Sequence, residues 1–221
     1  MTYQELVKYL FDNSDKNFAV FSKRLSNSVY TSIGVKTPII RQLVKEHIDD
    51  SELKLEDFEH HKFLEVDCIY FGLGLSRLND IDSQLLFLLN NLKYAASWGV
   101  TDTLTTYLKK CSFEKYWDFF LLTNNSDYAY TRRFAYVFAL KFSNDKRVFE
   151  TFKYFKPNED YMVMMAEAWL ISFAAINFPK EVYDYLSVLE DDTLKRKAIS
   201  KICDSYRFSD EAKEKYKSLR P

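Results

Sequence analysis

A chain of 221 residues that is 47% hydrophobic and 17% aromatic can bury a substantial core, which excludes an intrinsically disordered protein. With only 4 Gly and 4 Pro, the composition favours helices joined by short loops over β-structure. The net charge of −1 is low for a generic nucleic-acid binder, so a nucleic-acid role requires basic residues gathered on one face.

The cysteines and histidines predict neither disulfides nor a metal site. Cys68, Cys111 and Cys203 are odd in number and far apart, as expected of reduced, mostly buried residues in a cytosolic protein. The three histidines lack metal-ligand spacing. The N-terminus is amphipathic and lacks the apolar run of a signal peptide, and charges interrupt every long apolar stretch. We therefore expect a cytoplasmic protein that binds no membrane.

The first half of the chain is predicted to be helical. One helix starts after Thr2 and a second at about Lys16. Gly34 is expected to take a positive φ in a turn, followed by a helix that Thr37 caps and that has Pro38 at its first position. An acidic stretch over residues 49–59 indicates a loop or short helix. The remaining helix starts in this half are predicted at Lys62, Asp80 and Ser97.

The second half continues this pattern, with a break at Pro157-Asn158 and a charged tail to Pro221. Its predicted helices span residues 113–122, 130–142, 146–155, 161–178, 181–189 and 195–207. The helices occur in consecutive pairs of roughly 35–45 residues, the range of HEAT-type arrays. The sequence therefore predicts an all-α fold, a superhelical array of HEAT-like antiparallel helix pairs with a concave groove, in one domain over residues 1–221.

Residues 97–102, SWGVTD, place the indole of Trp98 and the carboxylate of Asp102 four positions apart at a helix start. Residues four apart share a helix face. An aromatic ring beside a carboxylate can bind a cation or stabilise a developing positive charge. The same spacing is also typical of a core tryptophan followed by an aspartate near a helix start.

Other charged or aromatic residues have two interpretations each. Arg133, between apolar neighbours, needs an anion such as Asp102 or a phosphate, unless it is an ordinary helix-terminal or surface arginine. Trp169 lies among small residues that can leave its ring open, and the alternative is a core tryptophan, as expected for Trp117. The late helices carry basic residues that could follow a phosphate backbone or form a solvated face: Lys141, Lys146, Arg147, Lys195, Arg196, Lys197, Lys201 and Arg207.

Five segments together resemble the HEAT-like DNA alkylation repair glycosylase family, of the AlkD type. They follow the family's order over roughly residues 20–205, and they are GVKTPIIRQL (34–43), SWGVTD (97–102), YTRRFA (130–135), AEAWL (166–170) and LKRKAI (194–199). The resemblance implies a base excision repair enzyme, a hydrolase. It cleaves the N-glycosidic bond of cationic N3- and N7-alkylated purines in duplex DNA, without flipping the base into a pocket.

By this resemblance Asp102 is the catalytic carboxylate and Arg133 the arginine near it, while Trp98 and Trp169 are walls around the lesion nucleotide. Ser172 stands where we expect a phosphate-binding arginine. Leu25 likewise stands where an aromatic residue can line the groove. We expect a monomer without metal or other cofactor. The residues expected to contact the DNA backbone are Arg132, Lys141, Lys195, Arg196 and Lys197. Two alternatives remain open, a non-catalytic HEAT module that binds damaged or branched DNA and a protein–protein scaffold.

Overall fold

The computed structural model describes residues 1–26, 30–157 and 159–221. Within these residues the regular structure is helical, and Thr31 and Phe63 form an isolated bridge outside any strand. The predicted all-α fold class is therefore confirmed. The chain divides into two compact units, residues 1–111 and 112–221.

The described residues of the first unit form six α-helices. They are α1 (Tyr3–Asp12), α2 (Lys16–Ser26), α3 (Thr37–Glu46), α4 (Leu64–Ser76), α5 (Ile81–Asn91) and α6 (Trp98–Leu104). The acidic stretch contains one short 3-10 turn, Leu55–Asp57, and a second 3-10 turn, Leu92–Tyr94, precedes α6. The side chain of Leu25 lies outside the described residues.

Polar side chains fix several helix starts in this unit. Thr2 and Glu5 form a reciprocal capping box, so α1 begins where the sequence predicts. Asp80 and Ser97 cap α5 and α6, also as predicted.

The predicted cap of α3 is wrong by one residue. Lys36 is the N-cap and Thr37 is already helical. The physical reason is that the Lys36 carbonyl accepts the first helical hydrogen bonds, from the N–H groups of Ile39 and Ile40. Pro38 is consequently in the first turn, where its missing N–H removes no hydrogen bond.

Helix α4 is the centre of the first unit. It packs against both α3 and α6. Almost every residue from Leu64 to Leu75 is buried, as expected of a helix that neighbours enclose on several faces. This packing fixes the position of α6, which carries Trp98 and Asp102.

The described residues of the second unit form seven α-helices. They are α7 (Phe113–Thr123), α8 (Ala129–Ala139), α9 (Phe149–Phe152), α10 (Tyr161–Asn177), α11 (Pro179–Val188), α12 (Asp192–Asp204) and α13 (Asp210–Lys217). Helix α10 is central and packs against α8, α11 and α12. Trp117 stacks on Phe113 and Phe120, which fits its predicted packing role.

The charged tail contains helix α13. Ser209 caps α13. Tyr216 is buried, and its hydroxyl donates to the Pro179 carbonyl (2.8 Å). This long-range contact gives the tail a buried anchor that its own composition does not indicate. Asn158, part of the predicted break, lies outside the described residues.

Helices adjacent in sequence pack on each other in α7–α8, α10–α11 and α12–α13, as expected of helix pairs. The concave groove and the single-domain organisation stay predictions. Across residues 1–26, 30–157 and 159–221, no helix has the length and apolar character needed to cross a bilayer.

Candidate functional site

Trp98 and Asp102 lie on α6, in the first unit. Ser97 is fully buried, and its hydroxyl oxygen caps the helix by accepting from the Gly99 N–H (3.1 Å). Val100 and Leu104 are fully buried and supply the packing face. Trp98 and Asp102 are both half-buried, so they lie at the boundary between this packing and the surface.

Both side chains line one cavity of about 300 Å³, which we name the Asp102 cavity. Its walls come from α2, α3, α4 and α6 and are mostly apolar, including Phe18, Phe21 and Ile40. Trp98 and Asp102 therefore face the same space, as their spacing predicts. Apolar walls screen charge less than water does, so they strengthen the electric field of a carboxylate that faces the cavity.

A second carboxylate, Glu65, lines the same cavity and is almost completely buried. It is 2% exposed. Its oxygens accept from the Ser32 hydroxyl (2.8 Å) and from the N–H groups of Ile33 and Gly34 (both 2.9 Å). These bonds hold the loop in which Gly34 has the predicted positive φ of 98°. Glu65 is thus a buried structural carboxylate. Asp102 accepts from the Thr101 hydroxyl (3.2 Å) and is half-buried, so more of its surface is available to a ligand.

Sequence reasoning missed Glu65, although an acidic residue inside the apolar stretch of α4 was a usable signal. A second missed residue, Tyr30, holds the loop that leads into α6. Its buried hydroxyl donates to the Tyr94 carbonyl (2.6 Å) and accepts from the Ala96 N–H (2.8 Å). Burial raises the pKa of Tyr30 far above its usual value, so the hydroxyl keeps its proton. Tyr30 therefore positions the start of the helix that carries Trp98 and Asp102.

Arg133 lies in the second unit, on α8, and is 2% exposed. Its Nη1 donates to the Met162 carbonyl (2.5 Å) at the start of α10. An ordinary surface arginine is therefore excluded. The pairing of this guanidinium with an anion stays a prediction.

Arg132 makes contacts with the protein itself. Its Nη1 donates to the Ser126 carbonyl (2.7 Å) and its Nη2 to the Glu159 carboxylate (2.9 Å). A DNA phosphate would have to compete with Glu159 for this guanidinium. Contact between Arg132 and DNA stays a prediction.

Trp169 is half-buried on α10 and lines a pocket of about 380 Å³, which we name the Trp169 pocket. Residues of α12 and of the turn after it complete this pocket. The Lys201 Nζ lies 5.8 Å from the centroid of the Trp169 ring, and the Arg207 guanidinium lies 5.3 Å from that of Phe173. Trp169 is thus partly open, in agreement with the first of its two interpretations.

Ser172 lines the same pocket, and its hydroxyl donates to the Trp169 carbonyl (2.7 Å). The resemblance leads us to expect an arginine at this position. Lys201 and Arg207 line the pocket as well and bring positive charge to it from α12 and the following turn. The positive charge of this pocket therefore comes from α12 and the turn after it, and not from position 172.

Three of the other basic residues predicted to contact DNA make weak contacts with the protein. Lys195 and Arg196 each lie 3.5 Å from an oxygen acceptor, a long distance for a hydrogen bond. The Lys197 Nζ lies 5.6 Å from the centroid of the Tyr161 ring. Lys141 is exposed after α8. Weak contacts such as those of Lys195, Arg196 and Lys197 are readily exchanged for a phosphate, and the backbone role of all four stays a prediction.

Glu167, which sequence reasoning also missed, is buried on α10 two residues before Trp169. Burial, and then the negative charges of Glu159 and Asp191, raise the pKa of Glu167 to about 8. The carboxyl group therefore carries its proton at neutral pH.

Over the residues that the structure describes, no group of three or more His, Cys, Asp or Glu side chains could hold a metal ion. No curated protein and no solved structure matches the chain significantly. One family, described as DNA alkylation repair enzyme, matches residues 6–202, which include Trp98, Asp102, Arg133 and Trp169. Because this match covers most of the sequence, the chain belongs to the DNA alkylation repair enzyme family.

Proposed function

We propose that the protein is a DNA glycosylase that hydrolyses the N-glycosidic bond of N3- or N7-alkylated purines in duplex DNA. Membership of the DNA alkylation repair enzyme family supports a role in repair. The observation that carries the proposed reaction is the Asp102 cavity, where a half-buried carboxylate and an indole line one space.

The positive charge of the substrate is the reason that a carboxylate and an indole can be sufficient for the proposed reaction. Alkylation at N3 or N7 makes the purine cationic, so the base leaves as a neutral molecule when the C1′–N bond breaks with its electron pair. The leaving group needs no added proton. Positive charge then develops on C1′ and on the ring oxygen of the deoxyribose.

Asp102 is the group proposed to stabilise this charge. A carboxylate facing the sugar lowers the energy of the cationic transition state, and the apolar walls of the cavity reduce screening. The same carboxylate can accept the proton of the water whose oxygen forms the new bond to C1′. The products are the free alkylated base and an abasic deoxyribose.

Trp98 is proposed to be a second contact in the same cavity. The face of an indole attracts a cation by about 0.5–2 kcal/mol, which applies to the cationic base and to the developing sugar cation. In the second unit, Arg133 and Trp169 are proposed to contact the nucleotide. The basic residues proposed to contact the phosphate backbone are Arg132, Lys141, Lys195, Arg196 and Lys197.

The test is base release from duplex DNA that contains N7-methylguanine, measured by chromatography with enzyme in excess. We expect release above the spontaneous rate. Asp102→Asn should lower the rate at least tenfold, which corresponds to about 1.4 kcal/mol in the barrier. Asp118→Asn, which removes an exposed carboxylate on α7, is the matched control and should keep the wild-type rate.

Three outcomes would contradict the proposal. Binding of the lesion duplex without release would favour a non-catalytic module for damaged or branched DNA. Absence of both binding and release would favour a protein–protein scaffold. If Asp102→Asn loses activity only in proportion to a loss of folded protein, measured by circular dichroism, Asp102 is structural.

A further inference from the structure

The Trp169 pocket contains an aromatic side chain that the proposed reaction does not use. Tyr206 lines this pocket and is 90% exposed, in the turn after α12. Trp169 and Phe173, in the same pocket, are both half-buried. Three aromatic side chains with accessible surface around one space are typical of a site for a planar ligand.

The geometry of two of these rings suits a flat molecule. The ring centroids of Trp169 and Phe173 lie 5.8 Å apart, and their planes meet at 89°. The two rings therefore form a corner in which a planar ligand can stack on the face of one ring and present its own edge to the face of the other. The volume of about 380 Å³ lies within the range of small-ligand pockets.

The charged groups of the pocket indicate the chemistry of the ligand. Lys201 and Arg207 lie over the rings of Trp169 and Phe173, and the Ser205 hydroxyl accepts from the Arg207 N–H (3.2 Å). This hydrogen bond holds the turn that presents Tyr206. Asp204 adds one carboxylate to the lining. A carboxylate beside two cations disfavours a purely anionic ligand but can accept a hydrogen bond from an amino or imino group.

We propose that the Trp169 pocket binds one unpaired nucleobase of a DNA strand, with Lys201 and Arg207 contacting the adjoining phosphates. A base within a duplex has its faces covered by its neighbours, so only an unstacked base can offer a face to an aromatic ring. Aromatic rings beside basic side chains are the usual combination for binding single strands. The proposal rests on DNA being the ligand, as proposed above, but not on base release.

The experiment compares two fluorescent single strands in anisotropy titrations with the full chain. One is oligothymidylate of about 15 nucleotides, near the upper site size of one binding fold. The other is the same backbone with every base removed, so that its phosphates are retained. Wild type should bind the strand with bases at least fivefold more tightly. Tyr206→Ala should remove most of this preference while leaving the affinity for the abasic strand unchanged.

Tyr128→Ala is the matched control, because Tyr128 is also exposed, at 56%, in the same unit but lines none of the Trp169 pocket. It should bind both strands as wild type does. Equal affinity of wild type for the two strands overturns the proposal, and so does an equal loss on both strands in Tyr206→Ala. If base release fails while the preference for bases persists, only the glycosylase proposal falls. If base release occurs without that preference, only the pocket proposal falls.

Discussion

Asp102 and Glu65 show how burial separates two carboxylates that line one cavity. Glu65 is 2% exposed and accepts three hydrogen bonds of 2.8–2.9 Å from a single loop. A carboxylate bound in this way is stabilised in place and would lose those bonds on turning towards a ligand. Asp102 is half-buried on a short helix. Residue type alone does not distinguish the two, because the difference lies in how deeply the fold buries each one.

The buried carboxyl of Glu167 makes the stability of the protein depend on pH. Its pKa is about 8 in the folded chain, against 4.5 for an ordinary glutamate. Between these two values the unfolded chain binds fewer protons than the folded chain. The free energy of unfolding therefore falls as pH rises through this window, by at most about 1.4 kcal/mol per pH unit, and the loss is complete above the folded pKa.

Glu167→Gln removes this titration, so the variant should gain stability relative to wild type as pH rises from about 5 to about 8. Urea denaturation at several pH values measures the difference. Glu211→Gln, at an exposed position on α13, should follow the wild-type curve. Parallel curves for Glu167→Gln and wild type would show that Glu167 is ionised in the folded protein at neutral pH.

Helix α6 is too short to be stable by itself. A helix of seven residues is well below the length at which isolated helices form in water. Three contacts hold it: the cap by Ser97, the packing on α4, and the two hydrogen bonds by which Tyr30 fixes the preceding loop. The position of Trp98 and Asp102 thus depends on residues far away in sequence.

The loop before α3 depends on its glycine, whereas α6 does not. A Cβ on Gly34 would lie 2.2 Å from the Asp15 carbonyl oxygen, at a φ of 98°. Gly34→Ala should lower the free energy of unfolding by about 2 kcal/mol or more. A Cβ on Gly99 would meet its nearest neighbours at 3.5 Å, an ordinary contact. Gly99→Ala should leave stability unchanged or raise it by up to about 1 kcal/mol, since alanine favours helix.

Urea denaturation of both alanine variants tests this contrast. Equal effects at the two positions would mean that the loop before α3 can take another conformation without cost. Stability is the appropriate measurement here, because Gly99 also lines the Asp102 cavity and its substitution can change ligand binding separately.

At the scale of the whole molecule, a net charge of −1 provides no general attraction to DNA. The attraction must come from local groups, such as Lys197 beside Tyr161 and Lys201 beside Trp169, where α10 and α12 pack together. A few phosphate contacts in one region can bind DNA even when the total charge is near zero, because counterion release depends on the contacts made.

The salt dependence of duplex binding tests this view. The logarithm of the association constant should fall linearly with the logarithm of salt concentration, and Lys201→Ala should reduce the slope by about 0.9. Lys8→Ala is the control, since Lys8 pairs with Asp12 on α1. An unchanged slope in Lys201→Ala would show that this lysine does not contact phosphate.

The amino-acid sequence by itself determined the features that depend on neighbouring residues. The all-α class, the helix starts after Thr2, Asp80 and Ser97, and the positive φ of Gly34 follow from local spacing, capping and backbone sterics. The motifs in chain order were also sufficient to indicate the family, since residues 6–202 match it.

Only the tertiary structure decided features that depend on distant partners. It paired Arg132 with Glu159, 27 residues away, and anchored the helix of the charged tail by bonding Tyr216 to the Pro179 carbonyl, 37 residues away. It also raised the pKa of Glu167 by burial. Hydrogen bonding and desolvation depend on which groups come together in space, and local periodicity does not contain that information.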